Sequence, residues 1–180
     1  MKILPSNSTL LLIDVQEKLL PKIYENEEVM KSVIWVVDLA QTIGIPHILT
    51  EHCPHKIGTT PATVRDKFEE KDIITKVYFS AVREGNLLDK IQKERKQIIV
   101  AGTEAHICVQ QTVLDLLELG YEVFILDSAV GTRIPNDKER ALERMSKNGA
   151  EIITPDMLAF EWLEKAETPL FKEVLTKFIK

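Results

Sequence analysis

Three residue types capable of joint chemistry stand at the ends of apolar runs in this sequence. In Val100-Ala-Gly-Thr-Glu-Ala-His-Ile-Cys-Val109 an apolar run breaks at Gly102, and a helical pattern begins around His106. Cys108 therefore falls in the first turn of a helix, where unpaired N–H groups and the positive dipole end favour an anion. Such a thiol is expected to ionise near neutral pH and to act as a nucleophile. Asp14 closes the run starting at Leu10, and Lys76 follows the run Asp72-Ile-Ile-Thr75. A carboxylate, an ammonium and a thiol in one crevice suit acyl transfer. Asp14 could take the thiol proton as general base, Lys76 could hold both negative groups, and helix-start N–H groups could bind an oxyanion. Each residue alone has a plainer role: a turn-capping carboxylate, a solvated lysine, a small buried hydrophobe.

The elements that must bring these residues together are short strands alternating with helices. Apolar runs occur at 10–15, 46–50, 72–75, 97–101, 122–126 and 151–154. Short runs without polar alternation suit a parallel sheet covered on both faces. Helical spacing predicts helices over 28–43, 87–93, 107–119 and 136–148, stopped by Gly44, Gly120 and Gly149 in three cases. Pro155 opens another helix, and the tail from Thr168 forms a short amphipathic one that packs on its own domain or meets another subunit. The expected fold is a single α/β domain over residues 1–180. It is a three-layer α/β/α sandwich with a six-stranded, mainly parallel, doubly wound sheet. Ligands of such sheets bind at the carboxyl ends of the strands, where Asp14, Lys76 and Cys108 stand.

Composition narrows the function classes. The 180 residues are 44% hydrophobic and 28% charged, with a net charge of −5. Basic residues are scattered among acids, which disfavours nucleic acid or an anionic membrane surface as partner. No apolar run reaches the roughly 18 residues of a spanning helix. The first residues lack a signal-peptide pattern, and two cysteines, Cys53 and Cys108, do not make a disulfide scaffold. A cytoplasmic protein acting on a small molecule is the expectation.

These motifs, in order, resemble the isochorismatase-like cysteine hydrolase superfamily, which includes nicotinamidases, carbamoyl-amide hydrolases and isochorismatases. Leu11-Leu-Ile-Asp-Val-Gln-Glu17 is similar to its opening motif, and Lys76-Val-Tyr-Phe-Ser-Ala81 to its lysine segment. Val100 to Val109 resembles its cysteine turn, and Leu126-Asp-Ser-Ala-Val-Gly-Thr-Arg133 the stretch that follows. The Glu-Ala-His-Ile-Cys form of the turn resembles the isochorismatase-domain-containing branch. The resemblance implies Asp14 as base, Lys76 as its charged partner and Cys108 as nucleophile. It also implies a cis peptide at Thr103–Glu104, an oxyanion site from the Glu104 and Cys108 N–H groups, and a homo-oligomer. Gln16, Phe79, Ser80, Glu104 and His106 are candidate substrate contacts, with Tyr78 a further pocket-lining candidate. His106 and Glu104 could equally structure the turn.

Metal-binding nicotinamidases carry an Asp-x-His pair after the second strand; here Glu51 and Cys53 take those positions. Glu51, His52, Cys53 and His55 can be read as a zinc site, but they make no complete ligand set of recognised spacing. No metal and no cofactor is expected. The leading expectation is a hydrolase of a small amide or related C–N bond through a Cys108 acyl-enzyme. The alternatives are a nicotinamidase or isochorismatase proper, or a silent thiol sensor or scaffold on the same fold.

Overall fold

The structure, a computed structural model, describes residues 1–179. Six strands form one sheet: β1 (Ser8–Ile13), β2 (His47–His52), β3 (Ile73–Lys76), β4 (Gln97–Thr103), β5 (Glu122–Gly131) and β6 (Glu151–Ile153). Every pairing is parallel and the order is β3-β2-β1-β4-β5-β6. The chain builds outward from β1 on one side, then returns to add β4 on the other. That reversal leaves a crevice beyond the carboxyl ends of β1 and β4.

The helices are α1 (Asn26–Ile43), the single turns α2 (Pro54–Ile57), α3 (Ala62–Arg65) and α4 (Leu87–Lys90), then α5 (Gln110–Glu118), α6 (Pro135–Lys147), α7 (Pro155–Leu163) and α8 (Pro169–Val174). The central strands have no solvent face. Leu10 and Leu12 of β1 enter a core with α1, α7 and the tail, while Leu11 and Ile13 enter a second core with α5 and α6. Period-two alternation thus fills both layers with apolar side chains, which explains the uninterrupted runs in the sequence. Helix α1 buries Val29, Val33, Val36, Val37 and Ala40, then ends at Gly44, whose φ of 87° lets its N–H cap Ala40 and Gln41 carbonyls.

Several boundaries differ from those the periodicity predicts. The first strand ends at Ile13, because Asp14 turns into left-handed backbone with φ 52°. The fifth runs to Gly131, so Asp127-Ser-Ala-Val-Gly131 continues the strand past a pairing irregularity opposite Val100–Gly102. The predicted helix over 107–119 begins as a π-helical turn, Ala105–Val109, before α5. The helix predicted over 87–93 stops at Lys90. In the tail, α8 runs into a second π-helical turn, Leu175–Ile179. Val174 is buried, and Trp35 donates from Nε1 to the Phe178 carbonyl at 3.1 Å with the two rings edge-on. The tail therefore seals its own core.

Gly102 sits directly against the backbone of β1. Its φ is 148°, and a Cβ built there would lie 2.2 Å from the Ile13 carbonyl oxygen. The obstacle is backbone, so no rotamer relieves it. Gly102→Ala is expected to destabilise the fold by about 3 kcal/mol or more, or to prevent folding. Urea unfolding of the purified variant against the parent measures this, and a change under about 1 kcal/mol would show that β1 and β4 can separate.

Candidate active site

The site grows from the two strands that flank the reversal. Asp14 leaves β1 with φ 52°, held by its N–H to the Thr50 carbonyl (3.1 Å) and by Thr103 Oγ1 donating to its own carbonyl (2.6 Å). Its carboxylate therefore points into the crevice, with 1% of the residue exposed. Thr50 Oγ1 donates to Oδ1 at 2.7 Å, and Lys76 Nζ lies 2.7 Å from Oδ2. Lys76, the last residue of β3, is fully buried; its ammonium also donates to the carbonyls of Tyr78 (3.1 Å) and Phe79 (3.0 Å). One carboxylate and two carbonyls surround a charge that could not be buried alone.

Cys108 lies in the turn after β4, 6% exposed and close enough to Asp14 and Lys76 that both charges act on its thiol. The three side chains come together from three strand ends. Its ionisation differs from the sequence expectation. Burial, and then the Asp14 charge, push the Cys108 thiol up to about 12, with Lys76 pulling only partly the other way. The resting group is a neutral thiol. A helix-start dipole is a small influence beside desolvation and an adjacent carboxylate, and Cys108 is the fourth residue of its turn.

The turn differs from expectation as well. The Thr103–Glu104 peptide is trans, and no described bond is cis. The change of direction comes instead from Glu104, whose φ of 55° and ψ of 59° place it in the left-handed region. Its carbonyl accepts from Ile107 N–H at 2.8 Å, and Thr112 Oγ1 donates to the Cys108 carbonyl at 2.7 Å.

The other candidate contacts divide sharply. Gln16 is wholly engaged by backbone: Nε2 donates to the carbonyls of His52 (3.0 Å) and Gly58 (2.6 Å), and Oε1 accepts from His52 N–H (2.7 Å). It clamps the loop after β2 and has no amide N–H left for a substrate. Ser80 likewise donates to Asp115 Oδ2 at 2.6 Å, and Arg83 grips the same carboxylate with two N–H bonds. Ser80 thus fastens the segment after β3 to α5. Phe79 is half-exposed and stacks on His52 with ring centroids 5.4 Å apart; Tyr78 beside it is also exposed. Burial and then Lys76 lower the His52 pKa, favouring the neutral imidazole. Glu104 pairs with Arg133 (2.6 Å), and His106 lies between Glu104 (3.6 Å) and Asp137 (3.7 Å).

Glu51 is buried, with Oε1 accepting from Thr60 N–H (2.8 Å) and Arg65 Nε (3.3 Å). A guanidinium thus answers the charge at the position where metal-binding relatives were expected to have a ligand. Among the described residues, no group of three or more His, Cys, Asp or Glu could hold a metal ion. Sequence reading missed Thr50 and Thr103, which hold Asp14 from neighbouring strands. Thr103 ends β4 and Thr50 lies two residues before the end of β2, but only the register places them beside Asp14. A cavity of about 520 Å³ lies apart, between the start of α1 and the β5–α6 connection.

The class these features define is an open parallel α/β protein with a buried polar site at its switch point. Residues 8–157 match the isochorismatase domain, and the chain belongs to that family, with its hydrolase fold. It is 32% identical over 176 residues to isochorismatase family protein 1A of Dictyostelium discoideum, covering 95% of this chain and 85% of that one. It is 33% identical over 169 residues to isochorismatase domain-containing protein 2 of Danio rerio, covering 93% and 84%. The structure of the MAR1 ribonuclease from Caenorhabditis elegans superposes with a TM-score of 0.93 at 32% identity, covering 100% of this chain and 93% of that one.

The buried thiol makes a pH prediction. Alkylation of Cys108 by iodoacetamide, followed by mass spectrometry to separate it from Cys53, should climb through pH 9 without levelling off. Asp14→Asn removes the charge that holds the proton on sulfur, so its profile should shift to lower pH. A plateau near neutral pH in the parent would show an ionised thiol.

Proposed function

We propose that this protein is a cysteine hydrolase that cleaves a small amide or related C–N bond, with Cys108 as nucleophile, Asp14 as proton carrier and Lys76 as electrostatic anchor. The observation that carries this reading is the meeting of Cys108 with the buried Asp14–Lys76 pair. Because the resting thiol is neutral, proton transfer accompanies attack. The Sγ–H proton passes to Asp14 as sulfur bonds to the carbonyl carbon, and the carbonyl electrons move to oxygen. The oxyanion meets N–H groups of the Glu104–Cys108 turn. When the C–N bond breaks, Asp14 returns the proton to the departing nitrogen and a thioester remains. Water then attacks the thioester, its proton passing to Asp14 and on to sulfur, which restores the thiol and releases the acid. Lys76 stabilises the carboxylate between these transfers.

A small neutral substrate fits a site whose nucleophile is 6% exposed and whose carboxylate and ammonium compensate each other. A polyanion does not fit a chain of net charge −5 as readily, so the ribonuclease name of the Caenorhabditis elegans relative is tested as a competitor. A panel of small amides, nicotinamide, isochorismate and an RNA is incubated with parent and Cys108→Ala protein. Ammonia release from an amide, with a thioester trapped on Cys108, is expected. Cys108→Ala should lower the rate by at least about 10³-fold. Vinyl-ether hydrolysis that survives Cys108→Ala would establish the isochorismatase alternative. RNA cleavage in place of amide cleavage would overturn the proposal, and a thiol that reacts with oxidants without any turnover would indicate a sensor.

A further inference from the structure

Glu104 joins β4 to the turn carrying Cys108, and its main chain is held in the left-handed region, a strained conformation for a non-glycine residue. Its side chain is 9% exposed. Oε1 lies 2.6 Å from Arg133 Nε, whereas Oε2 is buried without a hydrogen-bond partner, 3.6 Å from His106 Nδ1. A buried carboxylate without a cation would be strongly disfavoured, so the Arg133 contact is what keeps Glu104 in place. Arg133 stands two residues beyond Gly131, the β5 residue that pairs with Thr103 of β4. Its grip on Glu104 closes a short loop of contacts: Thr103 to Gly131 across the sheet, then Arg133 back to Glu104. The Glu104 carbonyl in turn closes the nucleophile turn by accepting from Ile107. The same Thr103 bonds the Asp14 carbonyl, so turn and carboxylate share one support.

We propose that Arg133 is a positioning residue for the cysteine site: by gripping the Glu104 carboxylate it fixes the turn that seats Cys108 against Asp14 and Lys76. Its kinetic consequence rests on the cysteine-hydrolase reading above, but its geometric consequence is visible on the thiol alone. Three variants test it: Arg133→Ala, Arg133→Lys and Glu104→Gln. Folding is followed by circular dichroism, the thiol by the pH profile of Cys108 alkylation, and turnover by kcat and KM on any amide cleaved by the parent.

In folded Arg133→Ala, Cys108 should loosen from burial and from Asp14, so that alkylation levels off in the ordinary thiol range instead of climbing. Its kcat should fall about 10- to 100-fold while KM stays within about threefold, as expected when a reacting group is displaced and not when binding is lost. Arg133→Lys should recover part of both, since it keeps the charge but loses the guanidinium fork. Glu104→Gln keeps an acceptor at Oε1 and should remain nearer the parent than Arg133→Ala. If Arg133→Ala does not fold, Arg133→Lys is judged by the same profile. A parental alkylation profile in folded Arg133→Ala, or in Arg133→Lys where Arg133→Ala does not fold, overturns the proposal, whatever the activity. Absence of amide turnover in the parent removes the hydrolase reading instead, and leaves the profile to decide the positioning role.

Discussion

The ion pair between Asp14 and Lys76 is the constraint around which the protein is arranged. Both side chains are excluded from water, at 1% and 0% exposure. Removing either would leave an uncompensated charge in the interior, a loss of about 3–5 kcal/mol. Such a pair weakens a fold unless every remaining lone pair and proton is met. Here Thr50 supplies the second carboxylate oxygen with a donor, and the Tyr78 and Phe79 carbonyls meet the ammonium. The strand ends bend toward those needs. Asp14 accepts left-handed backbone, and the segment after β3 turns its carbonyls inward, leaving Val77, Tyr78 and Phe79 with exposed side chains.

The same demand shapes the contact between the ends of β1 and β4. Thr103 bonds the main chain of Asp14, and Gly102 lets the Ile13 carbonyl sit where a side chain would otherwise be. Cys108 is then delivered to the pair by a π-helical turn instead of an ordinary helix start. A wider turn, opened by Glu104 in left-handed backbone, places the thiol beside the carboxylate. The cost in backbone strain is borne at the site, while the two apolar layers on either side of β1 and β4 stabilise the whole.

A neutral resting thiol has a chemical consequence. A preformed thiolate is open to oxidants and to any electrophile small enough to reach it. A thiol that loses its proton only as a carbonyl carbon arrives is selective for substrates that can be held while the proton moves. Family membership gives the hydrolase fold; which compound is held there depends on the rim. That rim is built from residues with different duties. Gln16 and Ser80 fasten the loops, His52 stacks on Phe79, and Glu104 is tied to Arg133.

Much of this was legible in the residues themselves. Uninterrupted apolar runs between amphipathic helices suit a parallel sheet buried on both faces, because such strands have no side to leave in water. The ends of those runs name Asp14, Lys76 and Cys108. Glycine stops such as Gly44 are equally local, since a left-handed cap requires little knowledge of the rest of the chain. Tertiary structure alone decided what those groups are to one another. The Cys108 thiol is neutral because burial and a carboxylate 94 residues away in sequence outweigh the dipole of its own turn. Gln16 and Ser80 read as pocket residues by position, yet their hydrogen bonds go to partners 36, 42 and 35 residues distant. Local pattern reports which surfaces must be buried; the ionisation and hydrogen bonding of a polar group depend on neighbours that only the fold brings near.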